Sequence, residues 1–339
     1  MPADTVPEGI VPERAWAVSR ETDSDPKLID LRDDSYRQEI ARAMPIGDAD
    51  TPLASQLAED ARRRIALVGR SLPPPAYPRI MTLANQKGGV GKTTTTVNLA
   101  AALSQGGLDV LVVDTDPQGN ASTALGVEHH GDVPGTYDVL VDGADISDVV
   151  VRCPDLPSVT CVPATVDLSG AEIELVPEVA REYRMRKALK KYLTDVEKKP
   201  DFVLVDCPPS LGLLTLNALV AADEVMVPIQ CEYYALEGLA QLLRTVDLVK
   251  ANLNPPLAVT TVLLTMYDGR TRLASDVAQQ VRDVFGDRVL KAAIPRSVRL
   301  SEAPSHLQTV MTYDPTSSGA LSYLEAAREI CEKGTPRRG

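Results

Sequence analysis

The sequence predicts an α/β protein with a doubly wound, mostly parallel sheet flanked by helices. Apolar, β-branched runs alternate with helical patterns across residues 79–335, as in successive βαβ units. Two of these runs end in the carboxylates Asp114 and Asp206, and the first run leads into a glycine-rich loop. Because open α/β sheets bind ligands at the carboxyl ends of their strands, these features also predict where the site lies.

The 339 residues divide into three predicted segments. Residues 1–52 mix acids, prolines and small residues, and we expect a mostly disordered acidic tail. Residues 53–78 predict an amphipathic helix and a proline-rich linker, with the helix docking on the body of the protein or on a second subunit. Residues 79–335 form the predicted globular domain, and a hydrophobic content of 44% suffices for its core.

Composition excludes several classes of protein. A net charge of −12 argues against a protein that coats nucleic acid generally, although a local basic face is compatible with it. Five cysteines without a C-x-x-C pair, together with three histidines, give no prediction of a zinc or iron–sulfur site; we expect buried free thiols. Neither a signal peptide nor a long apolar run is visible, so we expect a cytoplasmic protein with no membrane contact.

The glycine-rich loop predicts a polyphosphate site. The stretch from Lys87 to Thr94 reads KGGVGKTT, between an apolar run and a helical pattern. Its glycines let backbone N–H groups point inward at the start of a helix, where the dipole favours anions. Lys92 is predicted to reach the β- and γ-phosphates, and the hydroxyl of Thr93 to bind Mg²⁺.

The loop departs from the ordinary P-loop in two positions. Gln86 stands where that motif has its first glycine, and Lys87 is an additional cation. A second lysine is redundant for phosphates already bound by Lys92, so Lys87 is expected to contact phosphates bound elsewhere, for instance on a partner subunit.

The strand-end carboxylates complete the predicted site. Asp206 follows the apolar run from Phe202 and is the expected Walker B partner of Mg²⁺. Asp114 and Asp116 follow another apolar run; we expect Asp114 to support the metal shell and Asp116 to orient the attacking water.

Five stretches together resemble the ParA/Soj partition ATPases, the deviant Walker A class of P-loop NTPases, over roughly residues 79–335. They are Lys87 to Thr94, Val113 to Asn120, Val205 to Ser210, Pro228 to Gly238 and Ile294 to Ser305. Two related classes are less similar to this sequence. Nitrogenase iron proteins would need cysteines that bind a cluster. MinD would need a C-terminal amphipathic membrane helix, and residues 333–339 do not have that pattern.

The resemblance implies ATP and Mg²⁺ as cofactors and an ATP-dependent sandwich homodimer. Lys87 would contact phosphates across the interface, so that Lys87, Lys92 and Asp116 form the catalytic set. The dimer would bind nonspecific double-stranded DNA on the nucleoid, and a ParB-type centromere-binding protein would stimulate hydrolysis. Adenine contacts map to the region of Met266, Pro295 and Arg296. The implied nucleotide-binding residues are Lys87, Gly88, Gly89, Val90, Gly91, Lys92, Thr93, Thr94, Met266, Pro295 and Arg296, and the implied metal-binding residues are Thr93, Asp114 and Asp206.

Local charge suggests a DNA-binding face. Residues 266–299 contain seven bases and four acids, a net charge of +3. The resemblance points to Arg270 and Arg299, and Arg272 belongs to the same basic segment. Residues 181–199, with a net charge of +5, are the alternative face, and arginines that are merely solvated would explain either pattern.

Three functions therefore compete. The first is a DNA-partitioning ATPase, the second a positioning ATPase for a cargo other than DNA, and the third a metabolic ligase that uses ATP to activate a carboxylate. DNA-stimulated ATP hydrolysis separates them, because only the first function requires DNA and a ligase requires its second substrate.

Overall fold

A computed structural model describes residues 52–67, 69–233 and 235–334. The predicted acidic tail lies outside these residues, apart from Pro52, which begins the first helix.

The sheet has eight strands in the order β3-β4-β2-β5-β1-β6-β7-β8. The strands are β1 Arg79–Leu83, β2 Val110–Asp114, β3 Val151–Cys153, β4 Leu156–Val162, β5 Phe202–Asp206, β6 Glu224–Gln230, β7 Ala258–Tyr267 and β8 Val289–Pro295. Every neighbouring pair is parallel except β3 and β4, which are antiparallel. The predicted mostly parallel sheet is therefore confirmed.

Helices cover both faces of the sheet. They are α1 Pro52–Leu67, α2 Lys92–Gln105, α3 Asn120–Ala124, α4 Ile146–Val149, α5 Leu168–Glu174, α6 Arg184–Asp195, α7 Leu213–Ala221, α8 Ala235–Asn252, α9 Arg272–Phe285, α10 Val298–Glu302, α11 Val310–Tyr313 and α12 Ser318–Glu332. In the described residues no helix combines the length and the apolar character needed to cross a membrane.

The sheet separates two hydrophobic cores. Leu111 and Val113 of β2 lie in one core, whereas Val110 and Val112 of the same strand lie in the other. Successive side chains of a strand point to opposite faces, so a strand buried on both faces must be apolar throughout. The five cysteines are all buried, as predicted.

Several boundaries differ from the sequence prediction. The stretch from Leu125 to Asp155 is acidic and has no apolar run longer than three residues, yet it contains the edge strand β3, which is only three residues long and includes the exposed Arg152. The apolar helical pattern from Leu321 belongs to α12, which starts earlier, at Ser318, because the Ser317 hydroxyl accepts a hydrogen bond from the Ala320 N–H and caps it. The basic segment of residues 181–199 begins with a 3₁₀ turn, and α6 follows from Arg184.

The N-terminal helix α1 contacts the body of its own chain. The Arg63 guanidinium donates two hydrogen bonds to the carboxylate of Glu325 on α12, at 2.8 and 2.6 Å. In the linker, the Leu72 N–H donates to the Gly106 carbonyl just after α2, at 2.9 Å. Helix α1 and its linker thus pack beside the helix that begins at the glycine-rich loop.

Candidate nucleotide site

Strand register brings the predicted site together at one edge of the sheet. In the pairing of β1 with β5, Leu83 lies beside Asp206, and in the pairing of β2 with β5, Asp114 lies beside Asp206. The glycine-rich loop leaves β1 at this same edge. Three neighbouring strands therefore deliver the loop and both carboxylates to one place, as the rule for parallel sheets requires.

The loop is held by side chains from outside it. Asn85 donates to the Pro228 carbonyl at 2.7 Å, and its side-chain oxygen accepts the Lys87 N–H at 3.0 Å. On the far side, the Thr265 hydroxyl donates to the Val90 carbonyl at 2.8 Å. Gly91 has φ +88°, which L-residues with a Cβ rarely adopt, and this turn leads directly into α2. These contacts fix the curl of the loop.

Lys92 lies inside the curl. It is the first residue of α2, only 7% exposed, and its Nζ lies 3.5 Å from the Lys87 carbonyl oxygen. Burial lowers the pKa of Lys92, and the charges of Asp206 and Asp116 oppose that shift. A buried ammonium at a helix N-terminus beside inward-facing N–H groups suits a phosphate.

Asp206 joins the loop to the strand ends. Its two oxygens accept hydrogen bonds from the hydroxyls of Thr93, at 2.7 Å, and Thr96, at 2.9 Å. Burial raises its pKa, and the neighbouring charge of Asp114 raises it further. Thr96 was missed in the sequence, although its spacing of three from Thr93 on α2 places both hydroxyls on one face.

The residues fit a magnesium ion bound together with phosphates. A carboxylate and a hydroxyl are hard oxygen ligands, and a cation would offset the negative charge buried there. Across the described residues no three His, Cys, Asp or Glu side chains form a metal cluster. Mg²⁺ typically uses one or two carboxylates and completes its shell with phosphates and water, which suits Asp206 and the Thr93 hydroxyl.

Asp114 orients the loop that carries Asp116. Its Oδ1 accepts the Asp116 N–H at 3.1 Å, and its Oδ2 accepts both the N–H and the hydroxyl of Ser122, at 2.9 and 2.7 Å. Asp116 accepts the Gln118 N–H at 3.0 Å. Asp116 is 8% exposed, whereas Asp114 and Asp206 are 0% exposed, so Asp116 lies on the solvent side of the three carboxylates. Ser122 carries no sequence motif and was not predicted.

A cavity of about 140 Å³ lies beside the loop and is lined by all three predicted adenine-side residues, Met266, Pro295 and Arg296. Gly91 and Thr94 form its phosphate-side wall. Met266 has φ +50°, a left-handed conformation that is uncommon for a non-glycine residue and concentrates at functional sites.

The additional lysine is paired within its own chain. Lys87 Nζ lies 3.0 Å from an oxygen of Glu232, and both side chains are partly exposed, at 35% and 45%. The other oxygen of Glu232 lies 3.9 Å from the guanidinium of Arg296 and accepts a hydrogen bond from Gln230. Glu232 follows β6 within the stretch Pro228 to Gly238, and no role was predicted for it.

The predicted DNA-binding arginines lie in the two adjacent segments that follow β7 and β8. Tyr267 pairs with Pro295 across β7 and β8, so the chain leaves both strands at the same edge. Arg270, 90% exposed, donates two hydrogen bonds of 2.8 Å to Asp268, which lower the pKa of that carboxyl to about 2. Arg299 contacts Glu302 and Asp314 at 3.2 and 3.5 Å, and Arg272 opens α9 in an exposed position.

On the alternative basic segment, α6 buries Met185, Leu189 and Tyr192. Among its bases, Arg184 pairs with Glu178 and Lys191 with Asp145.

The chain is similar to proteins of known family. A family profile described as an AAA domain matches residues 78–259. The sporulation initiation inhibitor protein Soj of Bacillus subtilis is 52% identical over 256 residues, which cover 76% of this chain and 99% of that protein. The chromosome partitioning protein ParA of Caulobacter vibrioides is 49% identical over 260 residues, covering 77% and 96% of the two chains.

Solved structures agree in fold. Cobyrinic acid a,c-diamide synthase from Mycobacterium smegmatis, with bound ADP and magnesium, superimposes with a TM-score of 0.63 and 40% identity, covering 74% of this chain and 93% of that one. The septum site-determining protein MinD from Pyrococcus horikoshii, complexed with Mg-ADP, has a TM-score of 0.60 and 28% identity, covering 75% and 96%. The loop, the strand-end carboxylates and the identity to Soj and ParA together assign the chain to the ParA/Soj family of P-loop partition ATPases.

Proposed function

We propose that the protein is an ATP-dependent DNA-partitioning ATPase of the cytoplasm and nucleoid. In this proposal, ATP with Mg²⁺ drives formation of a sandwich homodimer that binds nonspecific double-stranded DNA, and a ParB-type protein stimulates hydrolysis. The observation that carries the proposal is a glycine-rich phosphate loop with two lysines, one buried inside the curl and one outside it.

Nucleotide binding follows from the buried groups. Lys92 would hold the β- and γ-phosphates, since it is already desolvated and gains an opposite charge on binding. Thr93 and Asp206 would hold Mg²⁺, whose role is to neutralise charge on the transferred phosphoryl group. The homologous structures with bound nucleotide and magnesium support this choice of cofactors.

Hydrolysis requires a group that orients water toward the γ-phosphate. Asp116 is proposed for this role, because it is the strand-end carboxylate nearest the solvent. Asp114 would act through Asp116 by fixing the backbone of its loop. A rigid loop matters because alignment of the attacking oxygen supplies much of the rate in phosphoryl transfer.

Dimer formation would use Lys87. Two facing triphosphates repel each other, and a cation reaching from the partner chain offsets that repulsion. Lys92 already fills the phosphate curl of its own chain, so a lysine outside the curl is available for the partner's nucleotide.

DNA binding would use the exposed arginines of the two segments that follow β7 and β8. Arg270, Arg272 and Arg299 would contact phosphates, and such contacts carry no sequence information. Arg270 and Arg299 are paired with carboxylates of the same chain, and DNA phosphates must compete with those partners. One monomer should therefore bind weakly, whereas a dimer doubles the contacts.

The decisive experiment measures ATP hydrolysis by the purified chain alone, with nonspecific duplex DNA, and with DNA plus the product of an adjacent DNA-binding gene. We expect slow basal turnover and strong stimulation only when both are present. Turnover that ignores DNA would contradict the proposal and favour a positioning ATPase for another cargo.

A ligase is the second candidate, since the homologous M. smegmatis protein is a cobyrinic acid a,c-diamide synthase. Its signature in the same assay would be ATP turnover that depends on a carboxylate substrate and ammonia or glutamine. Such turnover in the absence of DNA would overturn the partition function.

A further inference from the structure

We infer that Glu232 is a positioning residue that holds the Lys87 ammonium in its own subunit. By doing so it raises the dissociation constant of the dimer that forms with ATP. This inference rests on the proposed function, since it assumes that Lys87 serves the partner's phosphates. The ion pair of 3.0 Å between the two side chains is the observation behind it.

The Lys87 backbone and the Glu232 side chain are held in place for this contact. The Lys87 backbone is fixed by the hydrogen bond of its N–H to Asn85, at 3.0 Å. The second oxygen of Glu232 accepts from Gln230 and faces Arg296 at 3.9 Å. Glu232 is therefore directed at Lys87 from a fixed position, and the lysine side chain is the movable member of the pair.

The pair must break when Lys87 moves to a partner's nucleotide. Glu232 then keeps Arg296 as a neighbouring cation, so its charge is not left isolated. The two competitors for the ammonium differ in charge: one carboxylate in the same chain, against a triphosphate in the other. With ADP the γ-phosphate is missing, so the partner's nucleotide attracts the Lys87 ammonium less strongly. The ion pair of Lys87 with Glu232 in the same chain is then favoured. Glu232 would thus sharpen the discrimination between ATP and ADP in dimer formation.

The test compares dimer dissociation constants of the wild-type chain and Glu232→Gln, measured by analytical ultracentrifugation with ATP and with ADP. Glutamine keeps the shape and the hydrogen bond with Gln230 but removes the charge. Two partly exposed ion pairs per dimer no longer have to be broken, so we expect a roughly 2- to 30-fold tighter ATP dimer. The affinity of the monomer for ATP should stay unchanged.

Two controls separate this effect from a general change of charge. Glu332→Gln removes an exposed carboxylate paired with Arg328 at 2.6 Å on α12, and it should leave the dimer constant unchanged. In a Lys87→Ala background, Glu232→Gln should leave the protein monomeric with ATP, because Glu232 acts only through Lys87.

An unchanged or weaker ATP dimer in Glu232→Gln would overturn the inference, and weaker binding would instead assign Glu232 a contact with the partner. If wild type and Glu232→Gln both remain monomeric with ATP, the proposed function fails and the inference with it. A normal wild-type dimer with an insensitive Glu232 refutes the inference alone.

Discussion

The buried ion pair between Arg79 and Glu224 should dominate the stability of the sheet that carries the loop. Arg79 begins β1 and Glu224 begins the adjacent β6; their side chains are 3% and 1% exposed. The guanidinium donates to both carboxylate oxygens, at 2.7 and 2.8 Å, and to the Ile330 carbonyl of α12, at 2.8 Å. Arg79→Met keeps most of the side-chain volume and removes the charge.

The magnitude follows from what remains after the substitution. Within the described residues, the Thr260 hydroxyl, at 2.7 Å, is the one side-chain hydrogen-bond donor that Glu224 keeps. Breaking a buried pair by removing one partner costs about 3–5 kcal/mol, since the other charge stays buried without compensation. Arg63→Met is the matched control, because its pair with Glu325 is 32% and 25% exposed and is worth about 1 kcal/mol or less.

Urea unfolding followed by circular dichroism measures both costs. The double variant Arg79→Met/Glu224→Leu removes both charges and should recover most of the lost free energy of unfolding. The reasoning is refuted if Arg79→Met costs no more than Arg63→Met, or if the double variant is less stable than Arg79→Met.

Three further predictions concern the nucleotide cycle. Lys92→Ala and Thr93→Ala should each lose tight ATP binding. For Lys92→Ala we expect a loss of affinity of roughly 10-fold or more, because one charge-assisted hydrogen bond of about 1.5–3 kcal/mol disappears. Calorimetry that finds unchanged affinity in both variants would remove the phosphate-loop assignment. Asp116→Ala should keep ATP and lose hydrolysis, accumulating the ATP dimer, and a normal rate of phosphate release would assign the water to another residue. Lys87→Ala should bind nucleotide but sediment as a monomer with ATP, whereas a normal dimer would exclude the cross-subunit role.

Much of the fold was predictable because strands buried on both faces are continuously apolar. β2 and β5 are buried at every position, and their runs in the sequence were unambiguous. The edge strand β3 was missed, since it is only three residues long and its middle residue is the charged Arg152. The start of α12 depended on a single serine cap, a signal too local for periodicity to reveal.

The residues of the site likewise divide into those that the sequence predicts and those that it does not. Lys92, Thr93 and Asp206 belong to motifs, and their proximity follows from strand order. Ser122 and Glu232 are single polar residues whose importance comes only from the groups that folding brings to them, Asp114 and Lys87. No spacing rule in one sequence could have identified that pairing.

The central claim, that ATP controls DNA binding, is tested most directly by fluorescence anisotropy of a labelled nonspecific duplex with ATP, with ADP and without nucleotide, at several salt concentrations. We predict that DNA binds tightly with ATP but not with ADP or without nucleotide. The logarithm of the affinity should fall linearly with the logarithm of the salt concentration. Arg270→Glu and Arg299→Glu should each bind DNA more weakly and show a shallower salt slope. Equal binding with ATP and ADP, or binding that does not change with salt, would contradict the account. Wild-type affinity and slope in both variants would place the DNA face elsewhere, with residues 181–199 the next segment to test.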